Sequence, residues 1–263
     1  KPVLVGPEWK ILNCAERLNV DLRGVEIVEI VEDERFERYS ELLWKERQRK
    51  GMTRQGVRNW LRSSTVYASM MVEQGEADGM VGGLATAYAR TLRPALQVIG
   101  RAKDSRVISG VYVMLFKQRR LYFADCTVNI HPDADTLAQI AINAAKVAEA
   151  FGDEPKIAML SYSDFGESRG EDSVERMRKA IDLIRQSSPD LAVDGEMQAD
   201  TAVSRDRADA NFPFSDVAGR ANVLIFPDLS SGNIAYKLLR ELGGATALGP
   251  IIVGLQRPVN ALP

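Results

Sequence analysis

Val107-Ile-Ser-Gly-Val-Tyr-Val-Met-Leu115, the polar link Lys117-Gln-Arg-Arg120 and the second apolar run Leu121-Tyr-Phe-Ala-Asp125 decide how the rest of the chain reads. Two β-rich runs joined by so short a polar link form a hairpin, because parallel neighbours need a crossover of roughly a dozen residues or more. On either side, short apolar runs alternate with longer segments of helical period, which is the pattern of a mostly parallel sheet covered by helices. Strands are expected at 3–5, 26–31, 79–82, 107–115, 121–125, 157–161, 223–227 and 246–252, and helices at 8–18, 35–48, 53–74, 87–99, 135–151, 172–187, 197–204 and 233–241. The expected class is α/β, with one antiparallel hairpin interrupting the parallel order.

The chain has 263 residues, enough for one large α/β domain or two lobes of roughly 110–150 residues each. Lys plus Arg number 34 against 36 Asp plus Glu, so the net charge is −2; the one basic run, Lys45-Glu-Arg-Gln-Arg-Lys50, is no nucleic-acid footprint. Cys14 and Cys126 lie far apart with no Cys or His cluster near either, which argues against a disulfide framework and a zinc site. The N-terminus Lys1-Pro-Val-Leu-Val-Gly6 lacks signal-peptide character and no apolar run is long enough for a membrane span, so the protein reads as cytoplasmic, with no membrane partner. Beginning at Lys1 and stopping at Asn260-Ala-Leu-Pro263 behind an apolar run, the sequence reads as a piece of something longer.

Leu137, Ile140, Ala141, Ala144, Ala145 and Ala148 make one stripe on a helix that Gly152 ends. The small residues allow close approach of a neighbour, either the protein's own core, the favoured reading, or a second subunit.

Ligands of open α/β sheets sit beyond the carboxyl ends of the strands, which directs attention to the segments that follow them. Ser161, Ser163, Gly166 and Ser168 put hydroxyls and a turn before a helix, a pattern that suits either an anion at the helix N-terminus or plain capping near Asp172. Pro227-Asp-Leu-Ser-Ser-Gly-Asn233 has the same ambiguity, with Ser231 or Asn233 able to cap; neither segment is a dinucleotide or ATP phosphate loop. Cys126 with the sole histidine, His131, gives no assembled nucleophile–base pair, so the thiol reads as a small buried hydrophobe and His131 as a loop donor. Asp194-Gly-Glu196 and Asp200 cluster carboxylates, but a turn at Gly195 and helix-start charges are the favoured reading over a metal or acid–base role. Tyr88, Arg90 and Arg93 lie along one helix and could form a basic pocket wall.

An ordered set of segments resembles the phosphate acetyltransferase (phosphotransacetylase) family along nearly the whole chain. It comprises Gly75-Glu-Ala-Asp-Gly-Met-Val-Gly82, Leu92-Arg-Pro-Ala-Leu-Gln-Val-Ile99, Ala124-Asp-Cys-Thr-Val-Asn129, Met159-Leu-Ser-Tyr-Ser163, Val193-Asp-Gly-Glu196, Ala218-Gly-Arg-Ala-Asn-Val-Leu-Ile-Phe-Pro-Asp228, Gly232-Asn-Ile-Ala-Tyr-Lys237 and Gly249-Pro-Ile through Pro258-Val-Asn260. The resemblance implies a two-lobe, three-layer α/β/α fold like that of isocitrate and isopropylmalate dehydrogenases, with an acyl-CoA cleft and a homodimer or higher homo-oligomer. It puts lobe I at 1–111 plus 251–263, with both ends truncated, and lobe II at 112–250. The acyl-CoA contacts it implies are Asn129, Ser161, Ser163, Gly166, Ser168, Pro250, Tyr88 and Arg93.

Two departures steer the functional expectation. Active members carry Ser, His and Thr donors where this chain has Gly82-Gly-Leu-Ala-Thr-Ala-Tyr88, and Asp-Leu-Ser-Arg-Gly where it has Ala261-Leu-Pro263; the family's proposed base for the CoA thiol lies later still. Losing one preorganised donor typically lowers a rate by about 10²- to 10³-fold. With Tyr88 and Ser161-Tyr-Ser-Asp-Phe-Gly166, these departures resemble the C-terminal domain of large NADP-dependent malic enzymes. The expectation is a non-catalytic regulatory and oligomerisation domain with no catalytic or metal-binding residue and no cofactor of its own. Acetyl-CoA would be its effector, and NADP and a divalent metal would belong to a malic domain in the same polypeptide. The alternative is a phosphate acetyltransferase, which makes acetyl phosphate from acetyl-CoA and phosphate.

Overall fold

The computed structural model describes residues 1–83, 88–103, 105–168 and 170–262, apart from the side chains of Tyr88 and Ala89. Its contacts divide the chain into unit 1, Lys1–Gly100 with Arg257–Val259, and unit 2, Arg101–Gln256 with Asn260–Pro263. The lobe boundaries expected at 111 and 251 fall inside two strands, β4 (Ser109–Leu115) and β9 (Thr246–Val253). These strands are hydrogen-bonded to each other from Ser109↔Val253 to Leu115↔Thr246, so both go with unit 2.

In unit 1, β1 (Val3–Val5) pairs in parallel with β2 (Glu26–Val28), with α1 (Glu8–Leu18) between them. Next come α2 (Arg35–Arg47), α3 (Arg54–Leu61), α4 (Ser64–Glu73), β3 (Met80–Gly82) and α5 (Tyr88–Val98). The single helix expected over 53–74 is two, broken at Arg62–Ser63. Thr53 caps α3 by accepting the Gly56 N–H (3.0 Å), and α4 begins again after the extended Ser63, burying Val66, Tyr67, Met70 and Met71.

Unit 2 is built on one six-stranded sheet in the order β7-β6-β8-β5-β4-β9, with β5 (Arg120–Ala124), β6 (Lys156–Leu160), β7 (Ala192–Met197) and β8 (Val223–Ile225). The pairs β7–β6, β6–β8 and β8–β5 are parallel, while β5–β4 and β4–β9 are antiparallel, so the expected hairpin turns the sheet at β4. One face is covered by α6 (Ala134–Ala150) and α7 (Asp172–Ser187), the other by α8 (Ala199–Val203), α9 (Arg205–Asn211) and α10 (Leu229–Glu241).

Local chemistry sets the ends of α6. The Asp133 carboxylate accepts the Thr136 N–H (2.8 Å), and Gly152, at φ +80°, takes the left-handed conformation that closes the helix. Ala141, Ala144, Ala145 and Ala148 are buried against the sheet, which makes the small-residue stripe core and removes it as the subunit contact. Three other expectations are corrected. Residues 194–197, read as a turn and helix start, lie in β7; β10 (Val259–Ala261) and α9 had no expected counterpart; and α10 starts at Leu229, because Asp228, rather than Ser231 or Asn233, caps it by accepting the Ser231 N–H (2.8 Å). No helix among the described residues is long and apolar enough to cross a membrane.

Candidate functional site

Because β5, β6, β7 and β8 run parallel, their carboxyl ends lie along one edge of the unit 2 sheet, and the segments after them carry the chemistry. After β5, the buried Asp125 carboxylate gathers the segment around itself. Its Oδ1 accepts the N–H groups of Gly110 (3.2 Å), Thr127 (2.8 Å) and Val128 (3.1 Å), and its Oδ2 accepts the Asn129 N–H (2.8 Å) and Asn129 Nδ2 (2.5 Å). Asn129 Nδ2 also donates to Ile108 O (2.9 Å) and Asn233 Nδ2 donates to Cys126 O (3.1 Å), tying the segment to the residue before β4 and to α10. Gly232 makes that approach possible: a Cβ there would stand 2.7 Å from Asp125 O and 3.1 Å from Cys126 Sγ.

The segment after β6 is organised by a residue that the sequence reading set aside. Glu196, at the end of β7, is only 1% exposed. Its Oε1 accepts Ser163 Oγ (2.9 Å), the Gly166 N–H (3.0 Å) and Arg178 Nη2 (3.1 Å), and its Oε2 accepts Arg178 Nε (2.7 Å). Ser163 Oγ in turn accepts the Ser168 N–H (3.0 Å), and Arg178 Nη2 donates to Ser168 O (2.9 Å). Burial alone would raise the Glu196 pKa, but Arg178, the Gly166 N–H and Ser163 outweigh it and hold the carboxyl below its ordinary value. Beside it, the carboxylate of Asp164 (8% exposed) accepts the Gln198 N–H (2.8 Å) and Thr201 Oγ1 (3.2 Å).

Of the residues expected to contact acyl-CoA, Ser163, Gly166 and Ser168 are gathered around Glu196, and Asn129 around Asp125. Ser161 is half-buried with its N–H on Met197 O (2.8 Å), and Pro250 is buried within β9. Helix capping is not the task of the serines: Glu171 occupies the cap position of α7 without a side-chain bond, and Asp172 and Glu175 in the first turn disfavour an anion there. Arg93 belongs to unit 1, where it lines a cavity of ≈250 Å³ with Trp60, Arg90, Pro94 and Gln97. Arg47 donates to Gln97 O behind that cavity. The side chain of Tyr88 and residues 84–87 of the Gly82–Tyr88 departure lie outside the described residues, as does Pro263.

Arg178 is a functional candidate that the sequence reading missed, and Glu196 one that it weighed and set aside. The available signal was Val193-Asp-Gly-Glu196 within the family pattern, which polarity alone turned into a loop. Cys126 is fully buried, and that burial, with Asp125 nearby, pushes the thiol well above its ordinary value, so it serves as core. Among the described residues no group of His, Cys, Asp and Glu is placed to hold a metal ion.

The family model for phosphate acetyl/butaryl transferase matches residues 1–263, and the chain belongs to that family. A phosphate acetyltransferase of Acetivibrio thermocellus is 44% identical over 269 residues, covering 100% of this chain and 80% of that protein. A solved phosphotransacetylase from Streptococcus pyogenes superposes with a TM-score of 0.93 at 39% identity, covering 100% of this chain and 80% of that one. At the level of fold alone, a 4-hydroxythreonine-4-phosphate dehydrogenase from Klebsiella pneumoniae gives a TM-score of 0.54 at 11% identity over 98% of this chain and 80% of that one, in keeping with the dehydrogenase-like fold.

These likenesses overturn the main functional expectation. A regulatory domain of an NADP-dependent malic enzyme does not fit a chain that matches a phosphate acetyltransferase at 44% identity along its length, and the oxidoreductase and NADP readings fall with it. The expectation leaned on a few loop positions, several of them among residues 84–87 and 263, and so few positions weigh little against whole-chain identity.

Proposed function

We propose that this member of the family acts as a phosphate acetyltransferase, moving an acetyl group between coenzyme A and inorganic phosphate. The observation that carries the reading is the 44% identity with a phosphate acetyltransferase across the entire chain. In the forward direction a phosphate oxygen attacks the thioester carbonyl carbon, a C–O bond replaces the C–S bond, and the departing CoA sulfur takes up a proton, giving acetyl phosphate and CoA. The acetyl group passes directly between the substrates on this reading, because the Cys126 thiol is buried, protonated and unable to carry it.

In unit 2, Asn129, Ser161, Gly166 and Ser168 are proposed acyl-CoA contacts; in unit 1, Tyr88 and Arg93 are proposed separately as contacts for the same ligand class. Ser163 and Pro250, expected as further contacts, are buried, Ser163 bonded to Glu196 and Pro250 within β9. Arg90 and Arg93 stand one helical turn apart on α5 beside Trp60, a pairing suited to a phosphate-bearing ligand with an aromatic base. A cytoplasmic location and a homodimer complete the proposal.

The test uses the intact polypeptide that carries this chain. Acetyl phosphate formed from acetyl-CoA and phosphate is trapped as the hydroxamate, and arsenate-dependent breakdown of acetyl-CoA is followed in parallel. Turnover dependent on both substrates is expected; an intact, folded protein with neither activity would overturn the reading.

A further inference from the structure

We infer that Glu196 is a positioning residue for acyl-CoA, acting through Ser163, Gly166 and Arg178 to fix the segment that follows β6. The inference rests on the transferase reading above and names a part of its site that the family likeness does not assign.

Three observations combine. First, a carboxylate that is 1% exposed is costly unless its oxygens are satisfied, and here nearly all its partners serve one loop. Ser163 and Gly166 bind it directly, while Arg178 binds it through Nε and Nη2 and uses Nη2 again on the carbonyl of Ser168. Second, the end of β7 secures the same segment through its backbone, with Ser161 N–H on Met197 O (2.8 Å) and Phe165 N–H on Glu196 O (2.8 Å). The segment is thus held at residues 161, 163, 165, 166 and 168. Third, the fixation is one-sided: Ser163 and Asp164 are buried, while Ser161 is half-buried and Tyr162 is 61% exposed. A rigid hydroxyl and aromatic surface at the carboxyl end of a parallel strand is what a thioester ligand with an extended polar arm requires.

Glu196→Gln keeps the shape and one acceptor but turns an amide N–H₂ toward Arg178. Arg178→Lys keeps the charge and loses the planar fork. Both are made in the intact protein beside Arg120→Lys, which weakens a more exposed arginine–carboxylate pair at Asp153, away from the segment. Melting temperatures are measured for all three, kinetics are run well below each one's transition, and acetyl-CoA affinity is measured by calorimetry.

The expected result is a KM for acetyl-CoA, and a matching dissociation constant, raised about tenfold in E196Q and somewhat less in R178K, the scale of one charged hydrogen bond lost at a binding surface. The KM for phosphate should stay within about twofold, and R120K should show only the drop in melting temperature. If E196Q does not fold, R178K carries the same comparison. Loss of stability with both KM values unchanged, or an effect shared equally by the two substrates, would overturn the inference. A wild-type protein that binds acetyl-CoA without turnover would sink the transferase reading alone, and the calorimetric comparison would still judge Glu196.

Discussion

Replacing Asp125 by Ala removes the acceptor around which the 126–129 segment is folded. The Gly110 N–H, the N–H groups of Thr127, Val128 and Asn129, and Asn129 Nδ2 all lose their bond at once. A hydrogen bond to a charged acceptor is worth roughly 1.5–3 kcal/mol, and a buried donor left bare costs about 1–3 kcal/mol. These do not sum, because Thr127, Val128 and Asn129 are half-buried and water reaches them once the segment loosens, whereas Gly110 is buried within β4. The expected loss is about 3–5 kcal/mol, the scale for breaking a buried charged network. In a chain of this length that lowers the unit 2 melting transition by about 10 °C. Asp125→Asn keeps the three N–H bonds at Oδ1 but opposes Asn129 with an N–H₂, so about 2 kcal/mol is expected. Near-ultraviolet circular dichroism of the buried Tyr112 and Tyr122 in the sheet, recorded against temperature and urea, reads both. A D125A transition within about 2 °C of wild type would show that water replaces the carboxylate at no cost, and the account of this knot would be wrong.

Thiol titration of the native protein should label exposed Cys14 at once and Cys126 only on unfolding, and Cys126→Ala should keep turnover; loss of turnover in a stable C126A would refute the direct-transfer reading. Ala144→Leu should cost roughly 1–3 kcal/mol by overpacking the core beneath α6. Light scattering should show its mass unchanged, and dissociation would return the stripe to a subunit interface. In unit 1, Arg35 beside Asp33 holds that carboxyl down to about 2, so the stabilisation it provides is present above the usual carboxylate value and is lost as pH falls from about 4 toward 2. Asp33→Asn should therefore flatten the acid limb of the stability–pH curve, and an unchanged limb would assign acid sensitivity elsewhere.

Much of the architecture is legible in local sequence because local physics decides it. Lys117-Gln-Arg-Arg120 is too short for a crossover, so β4 and β5 had to be antiparallel, and Asp133 and Gly152 bracket α6 with a cap and a left-handed residue that need no distant partner. Where a polar residue's fate depends on something far along the chain, sequence reading fails. Asp194-Gly-Glu196 has the composition of a turn, yet it is a strand, because Met159 and its neighbours in β6 supply the ladder and Arg178, on a helix 18 positions earlier, supplies the counter-charge that lets Glu196 be buried. Asp228 rather than Ser231 caps α10 for the related reason that several adjacent residues could do so and the exit path of β8 selects one. The family, spread over motifs along the whole sequence, was readable. The activity was misjudged from a handful of loop residues, because a periodic core constrains sequence everywhere while a loop constrains it only at a few atoms, and only the folded chain shows that the buried Glu196 holds the segment after β6 in place.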